Sequence, residues 1–179
     1  METFKYELVG KEQIIDEVKS EILGLELNIQ EYDDKPWGGE FYISVESTDK
    51  FIDTFFPEVG KDVIHKYGTD LQPKFLIVLP GYRLSWQYHN RRCELWKVKK
   101  GPVGVMQSDT DEMPSHPMSV PEGALIMNGP KKRHRLIGLE GDDAGGGYGV
   151  VVEIWQHLDP EHLSDRLDIV RIADDTNRQ

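Results

Sequence analysis

Across residues 80–101, PGYRLSWQYHNRRCELWKVKKG, the side chains able to do chemistry stand at fixed intervals. Gly81 comes first, then Gln87, His89 and Glu94, and Gly101 closes the run. Gln87 and His89 are two apart in a stretch with strand character, so both side chains leave the same face. Glu94 follows a short polar turn, Asn90-Arg91-Arg92, and Leu95-Trp96-Lys97-Val98 resumes a strand. A hairpin of this kind returns Glu94 to the side of the Gln87/His89 pair. An amide oxygen, an imidazole and a carboxylate on one inner sheet face are ligands for a borderline divalent metal. One more histidine is wanted from elsewhere, and His134 is well placed. Singly, a strand glutamine or histidine is more often structural; the spacing as a whole favours a metal site.

The elements that must position these residues are mostly strands. From Pro73 onward, segments rich in Val, Ile, Leu and aromatics follow one another with turns between: 74–79, 84–89, 94–98, 103–107, 118–120, 124–127, 134–139 and 149–156. Short, evenly spaced strands with Pro and Gly turns indicate a sandwich or barrel. Residues 109–117 read as a loop and 141–147, GDDAGGG, as a hairpin tip. Before Pro73 the pattern is mixed. Ile14, Ile15, Val18 and Ile22 recur at three and four, giving a helix over 11–23 stopped by Gly24. That helix covers a sheet face or edge, or else meets a second copy. A short strand is expected over 25–30, another over 40–45, and a helix over 48–56 with Phe51, Ile52, Phe55 and Phe56 on one side. Residues 60–68 read as a helical turn whose His65 packs or sits at the surface. The tail, 158–179, is charged and mixed.

The totals bound the rest. A chain of 179 residues, 38% hydrophobic and 30% charged, suits one globular domain. We read 1–70 as an extension packing on the barrel, 71–157 as barrel core and 158–179 as a C-terminal segment. The net charge of −11 argues against nucleic acid. Cys93 is the one cysteine, which excludes an internal disulfide framework and fits a reducing compartment. The first ten residues lack a signal-peptide pattern, and no apolar run is long enough for a membrane span. A cytoplasmic protein, without membrane or nucleic-acid partners, is expected.

The 80–101 stretch resembles the first motif of the cupins. Its variant with Gln in place of the first His is similar to the type II phosphomannose isomerases. Lys35-Pro36-Trp37-Gly38 is similar to that family's Pro-Trp-Gly entry, and Pro73-Lys74 opens the first barrel strand as it does there. Leu84-Ser85 precedes Gln87, Arg92 precedes Glu94, and Trp96 follows it. His134-Arg135-Leu136 resembles the family's second motif. Glu153 sits in a similar strand end. Asp168-Ile169-Val170-Arg171, with Asp174, Asp175 and Arg178, resembles the closing segment. Two features depart from the pattern: Gly129-Pro130-Lys131-Lys132-Arg133 replaces the turn before His134, and the nucleotidyltransferase half found fused in some members is absent.

The resemblance implies a cupin, mainly β, a double-stranded β-helix or jelly-roll barrel with a few N-terminal helices. It also implies aldose–ketose isomerisation, with mannose 6-phosphate and fructose 6-phosphate as the family pair and lyxose and xylulose as a related one. The partner would be a small sugar or sugar phosphate. One divalent metal ion held by Gln87, His89, Glu94 and His134 would stabilise a cis-enediolate. Zinc is the first choice; manganese, iron, nickel and cobalt stay open. Glu153 and Lys74 are candidates for the base, or else form a structural ion pair. Arg135 is a candidate for stabilising oxyanion charge, with Arg92 and Lys97 as alternatives. Lys132, within the basic run 131–133, is a candidate phosphate anchor, and Trp37 a substrate wall. An oxygenase using iron and a non-catalytic sugar-binding cupin are the competing readings. A homodimer through edge strands is expected.

Overall fold

The computed structural model describes residues 3–140 and 147–175, with side chains from residue 10 onward. The expected hairpin tip at 141–147 lies almost wholly outside the described residues, as does Arg178. Helix α1 (Thr3–Gly24) is followed by β1 (Ile29–Lys35) and β2 (Gly38–Ile43), then α2 (Thr48–Phe55) and the single turn α3 (Lys61–Ile64). The remaining elements are strands: β3 (Lys74–Val78), β4 (Trp86–Tyr88), β5 (Arg92–Lys100), β6 (Val103–Ser108), β7 (Met118–Val120), β8 (Leu125–Asn128), β9 (Arg133–Ile137), β10 (Gly149–His157) and β11 (Val170–Ala173). None of the described helices is long and apolar enough to cross a membrane.

The strands form two antiparallel sheets, β1-β2-β3-β10-β5-β8 and β11-β4-β9-β6-β7. Segment 1–70 therefore does more than cover the barrel, because β1 and β2 extend its larger sheet. That sheet is buried on both faces, which explains the unbroken apolar runs of β3 and β10. One face carries Phe75, Ile77, Leu95, Val150, Val152 and Ile154, and packs under Val18 and Ile22 of α1 and Phe51, Ile52 and Phe55 of α2. The other face carries Leu76, Val78, Trp96, Val98 and Val151, which meet Val103, Val105 and Leu136 of the smaller sheet. Side chains alternate along each strand, so Glu94 and Trp96 on β5, and Glu153 and Trp155 on β10, share this interior face.

The strand expected over 25–30 is instead β1, which begins at Ile29. Its Glu31, Asp33 and Asp34 are tolerated because β1 is an edge strand with a wet outer side. Pro36 and Trp37 form the two-residue turn into β2. Gly38 follows at φ 144°, where an added Cβ would lie 1.9 Å from the Ile77 carbonyl oxygen, so no other residue fits. The 109–117 loop lies on the outer face of the smaller sheet, where its Asp111 carbonyl accepts from the indole of the buried Trp86 at 3.0 Å.

Candidate metal and ligand site

Three strand registers bring the chemistry together. Gln87 of β4 lies opposite His134 of β9, and Gln107 of β6 flanks His134 on its other side. In the facing sheet Glu94 of β5 stands between Trp155 of β10 and Asn128 of β8. His89 follows β4 directly. The side-chain ligand atoms of His89, Glu94 and His134 lie within 4.8 Å of one another, and all three residues are buried. Together they form a cluster that can hold a metal ion.

The hydrogen bonds around the two imidazoles agree with that role. His89 Nδ1 is 2.5 Å from the carbonyl oxygen of Asp168, and His134 Nδ1 is 2.8 Å from that of Lys132. A carbonyl accepts only, so each Nδ1 carries a proton and Nε2 is the atom turned toward the cluster; at His89 that Nε2 lies 3.3 Å from Arg92 Nη2. Those Nε2 atoms face the Glu94 carboxylate, at 2.9 Å from Oε1 for His89 and 3.2 Å from Oε2 for His134. The Arg92 guanidinium reaches both atoms of the His89 contact, whereas a lone pair of His134 set against Glu94 Oε2 repels unless a cation lies between them or the ring is protonated. Glu94 Oε2 and His134 Nε2 are buried and make no hydrogen bond among the described residues, despite their approach to one another. Such orphaned acceptors are costly in a dry interior and fit a coordinated ion.

The second oxygen of Glu94 is occupied. Arg92 donates to Oε1 through Nε at 3.0 Å and Nη2 at 2.8 Å, while its guanidinium stacks on Trp155, 3.8 Å from the ring centre. Burial works against the charged carboxylate, but a positive charge on the His89 ring and the Arg92 guanidinium hold Glu94 well below the usual carboxylate range. The turn before His134 is settled by Pro130 at its second position and Lys131 at φ 60°, with Lys132 N–H donating back to the Gly129 carbonyl. Lys131 N–H also donates to the His89 carbonyl at 2.7 Å, which ties the two histidine-bearing segments together.

Glu94 opens onto a cavity of about 130 Å³ whose wall includes Trp37, Lys74, Gln87, Trp96 and Glu153. Lys74 and Glu153 form a buried ion pair at 3.0 Å. Both oxygens of Glu153 also accept indole N–H groups, Oε2 from Trp96 and Oε1 from Trp155, each at 2.9 Å. Burial and the nearby Glu94 charge push the Glu153 carboxyl above its ordinary range, and Lys74 only partly reverses this. Burial penalises the Lys74 ammonium too, yet Glu153 and Glu40 keep it firmly protonated. Gln87 accepts a hydrogen bond from Ser85 Oγ. Trp37 is buried, and its indole N–H has no partner among the described residues.

Three candidates are not brought to this site: strand alternation turns Lys97 and Arg135 away, and Lys132 belongs to the turn before β9. Lys97 leaves β5 on the face opposite Glu94 and pairs with Glu58. Arg135 leaves β9 opposite His134, donating to the Ala173 carbonyl at 3.3 Å and lying 3.5 Å from Asp175. Lys132 is on the outside with Asp109 at 2.8 Å, and its neighbour Arg133 with Asp111 at 2.6 Å. Burial pushes the Cys93 thiol up to about 11 on the helix-covered face, so it stays protonated and unreactive.

Several residues at the site carry a signal that the sequence reading passed over. Ser85 shares the period-two face of Gln87, and Trp155 that of Glu153. Arg166 and Arg171 line the cavity from the C-terminal segment, where β11 pairs with β4 and sets Arg171 beside Gln87. Asp168 is the joint of this segment: its carboxylate accepts from the N–H groups of Asn90 and Arg91, each at 2.9 Å, and from Ser164 Oγ at 2.8 Å.

No protein-family model matches the sequence, and no curated protein matches it. Solved structures do. The capsular polysaccharide assembling protein CapF from Staphylococcus aureus is 13% identical with a TM-score of 0.50; the match covers 79% of this chain and 33% of that one. The chain thus spans about a third of the length of CapF. KdgF from Halomonas sp. matches at 13% identity and a TM-score of 0.45, over 74% of this chain and 90% of that one. A protein with a double-stranded β-helix domain from Klebsiella pneumoniae matches at 13% identity and a TM-score of 0.43, over 57% and 70% of the two chains. Two facing antiparallel sheets give this chain the double-stranded β-helix fold of the cupins, with the histidines and the acid converging between them.

Proposed function

We propose that this chain is a metal-dependent isomerase that interconverts an aldose and a ketose, acting on a sugar or sugar phosphate of the mannose or lyxose type. One observation carries the proposal: Glu94 of the His89–Glu94–His134 cluster lines the same cavity as the buried Glu153–Lys74 pair. Moving a proton between C1 and C2 passes through a cis-enediolate. The reaction therefore needs one group to carry the proton and a fixed positive charge for the oxygens. Glu153, with its pKa raised by burial and Glu94, suits a carboxylate that takes the proton at one carbon and returns it at the next. Lys74 and the two indoles hold that carboxylate in place. The unpartnered Trp37 N–H on the cavity wall is a donor suited to a sugar hydroxyl. A divalent ion held by His89, Glu94 and His134, with Gln87 alongside, would supply the positive charge. Zinc fits this mixed set best, and manganese, iron, nickel and cobalt suit it as well.

The lining supports an anionic substrate. Lys35, Lys74, Arg92, Arg166 and Arg171 outnumber Glu40, Glu94 and Glu153 in a chain whose net charge is −11. On this reading a phosphate sits against Arg166 and Arg171, which line the cavity, rather than against the run 131–133, which does not.

The test is elemental analysis of the purified protein, followed by NMR of aldoses and their phosphates in D₂O. Loss of the C2 proton signal with appearance of the ketose is expected, and Glu153→Gln should keep the metal and lose the exchange. A protein that takes up no metal, or a loaded one that exchanges no C2 proton across the panel, overturns the proposal. Two histidines and one carboxylate also suit an iron oxygenase; oxygen uptake without anaerobic exchange would favour that second reading.

A further inference from the structure

Beside the ligand cluster lies a pair of amides to which the proposed reaction assigns nothing. Asn128 is 1% exposed, directly opposite Glu94 in the β5–β8 ladder, so the two side chains leave on the same face. Its Oδ1 accepts from Gln107 Nε2 at 2.7 Å, and the same Nε2 is 3.1 Å from the Met127 carbonyl. Gln107 in turn stands opposite His134 in the facing sheet. The contact therefore bridges the two sheets next to two of the three candidate ligands. With Oδ1 committed to Gln107, the Asn128 amide presents its Nδ2 donor, which is buried and has no partner among the described residues. The acceptor left over on the opposite residue is Glu94 Oε2. A buried donor and a buried acceptor, each unsatisfied and on register-paired residues, are an exception that a folded interior needs a reason to keep.

We propose that Asn128 is a positioning residue of the metal centre, oriented by Gln107 so that, once an ion is held, its Nδ2 donates to the Glu94 carboxylate and fixes the angle at which Glu94 meets that ion. The inference rests on the metal reading above. Outer hydrogen bonds of this sort commonly change metal affinity about 10- to 100-fold when removed. Gln107 acts only through Asn128, so the two substitutions should not add.

The test uses Co²⁺ as a visible probe on the full chain, read by its d–d absorption and by titration. Asn128→Ala should bind Co²⁺ at least about tenfold more weakly, with a changed absorption envelope and an unchanged far-UV circular dichroism spectrum. Gln107→Glu, at a half-buried position, keeps size but puts an acceptor against Oδ1 and turns the amide round. It should give the same loss, and the double variant should be no worse than either single. The Gln107 variant carries the test by itself if Asn128→Ala does not fold. Wild-type affinity and spectrum in either folded variant, or losses that multiply in the double variant, overturn the assignment of Asn128 and leave the metal centre standing. A wild-type protein that binds no Co²⁺ overturns both.

Discussion

Replacing Lys74 by Met tests whether the Lys74–Glu153 pair is the buried, proton-sensitive device described above. The substitution keeps the length of the side chain and removes its charge. Glu153 then remains in the interior with two indole donors but no ion-pair partner, at a position where Lys74 is 10% and Glu153 4% exposed by side chain. Breaking a buried pair by removing one partner costs about 3–5 kcal/mol, and the two surviving indole bonds place this case near 3. The loss should depend on pH. A carboxyl whose pKa is higher in the folded than in the unfolded state binds more protons when folded, so stability falls as pH rises through that window. Without Lys74 the Glu153 pKa moves further up. The stability gap between native protein and variant should therefore widen by up to about 1.4 kcal/mol per pH unit, and close toward acid as Glu153 takes a proton in both. Urea unfolding followed by tryptophan fluorescence at intervals from pH 5 to pH 8 measures the gap directly. A difference below about 1 kcal/mol at pH 8, or an equal difference at pH 5 and pH 8, would refute the account of Glu153 as a strained, buried carboxyl.

His89→Ala should lose bound metal and all C2-proton exchange while keeping its circular dichroism spectrum; retained metal with full activity removes the cluster from the mechanism. Asp168→Asn should loosen the C-terminal segment, seen as faster hydrogen exchange in β11. Burial opposes the Asp168 charge, but the Asn90, Ser164 and Arg91 hydrogen bonds hold its carboxyl below the ordinary range. The latch it forms is therefore at full strength above the ordinary aspartate pKa and is lost as pH falls through the lowered one, so acid should release β11 in the native protein and change little in the variant. Lys97→Ala, on the outer face with Glu58, should leave exchange rates within about twofold and stability within about 0.5 kcal/mol. A larger activity loss would mean that β5 presents its other face to the cavity.

What could be read from the chain was whatever depends on short spacing. Gln87, His89 and Glu94 are within eight positions of each other, and a hairpin converts that spacing into proximity without help from distant residues. The same local logic misplaced Lys97 and Arg135: each is close in sequence to a ligand but separated from it by an odd number of positions, which sends the side chain through the sheet. The β1 strand was hidden by Asp33 and Asp34, because an edge strand needs only one apolar side. Asp168 could not be placed from spacing at all. Its contact with His89 spans 79 positions and depends on a backbone carbonyl, which every residue possesses. The phosphomannose isomerase likeness led correctly to a cupin fold, and the solved structures support that much of it and no finer activity.

The Asp168 joint also bears on how the protein matures. His89 receives the partner that fixes its ring only when residue 168 has arrived, and β4 gains its outer neighbour at the same moment. At a synthesis rate of about 5–20 residues per second, the histidine waits several seconds on the ribosome with its ring free to turn. Ion capture should thus be a late event, completed only once residue 168 has emerged, and premature termination before residue 168 should yield a barrel that has its ligands but holds them loosely.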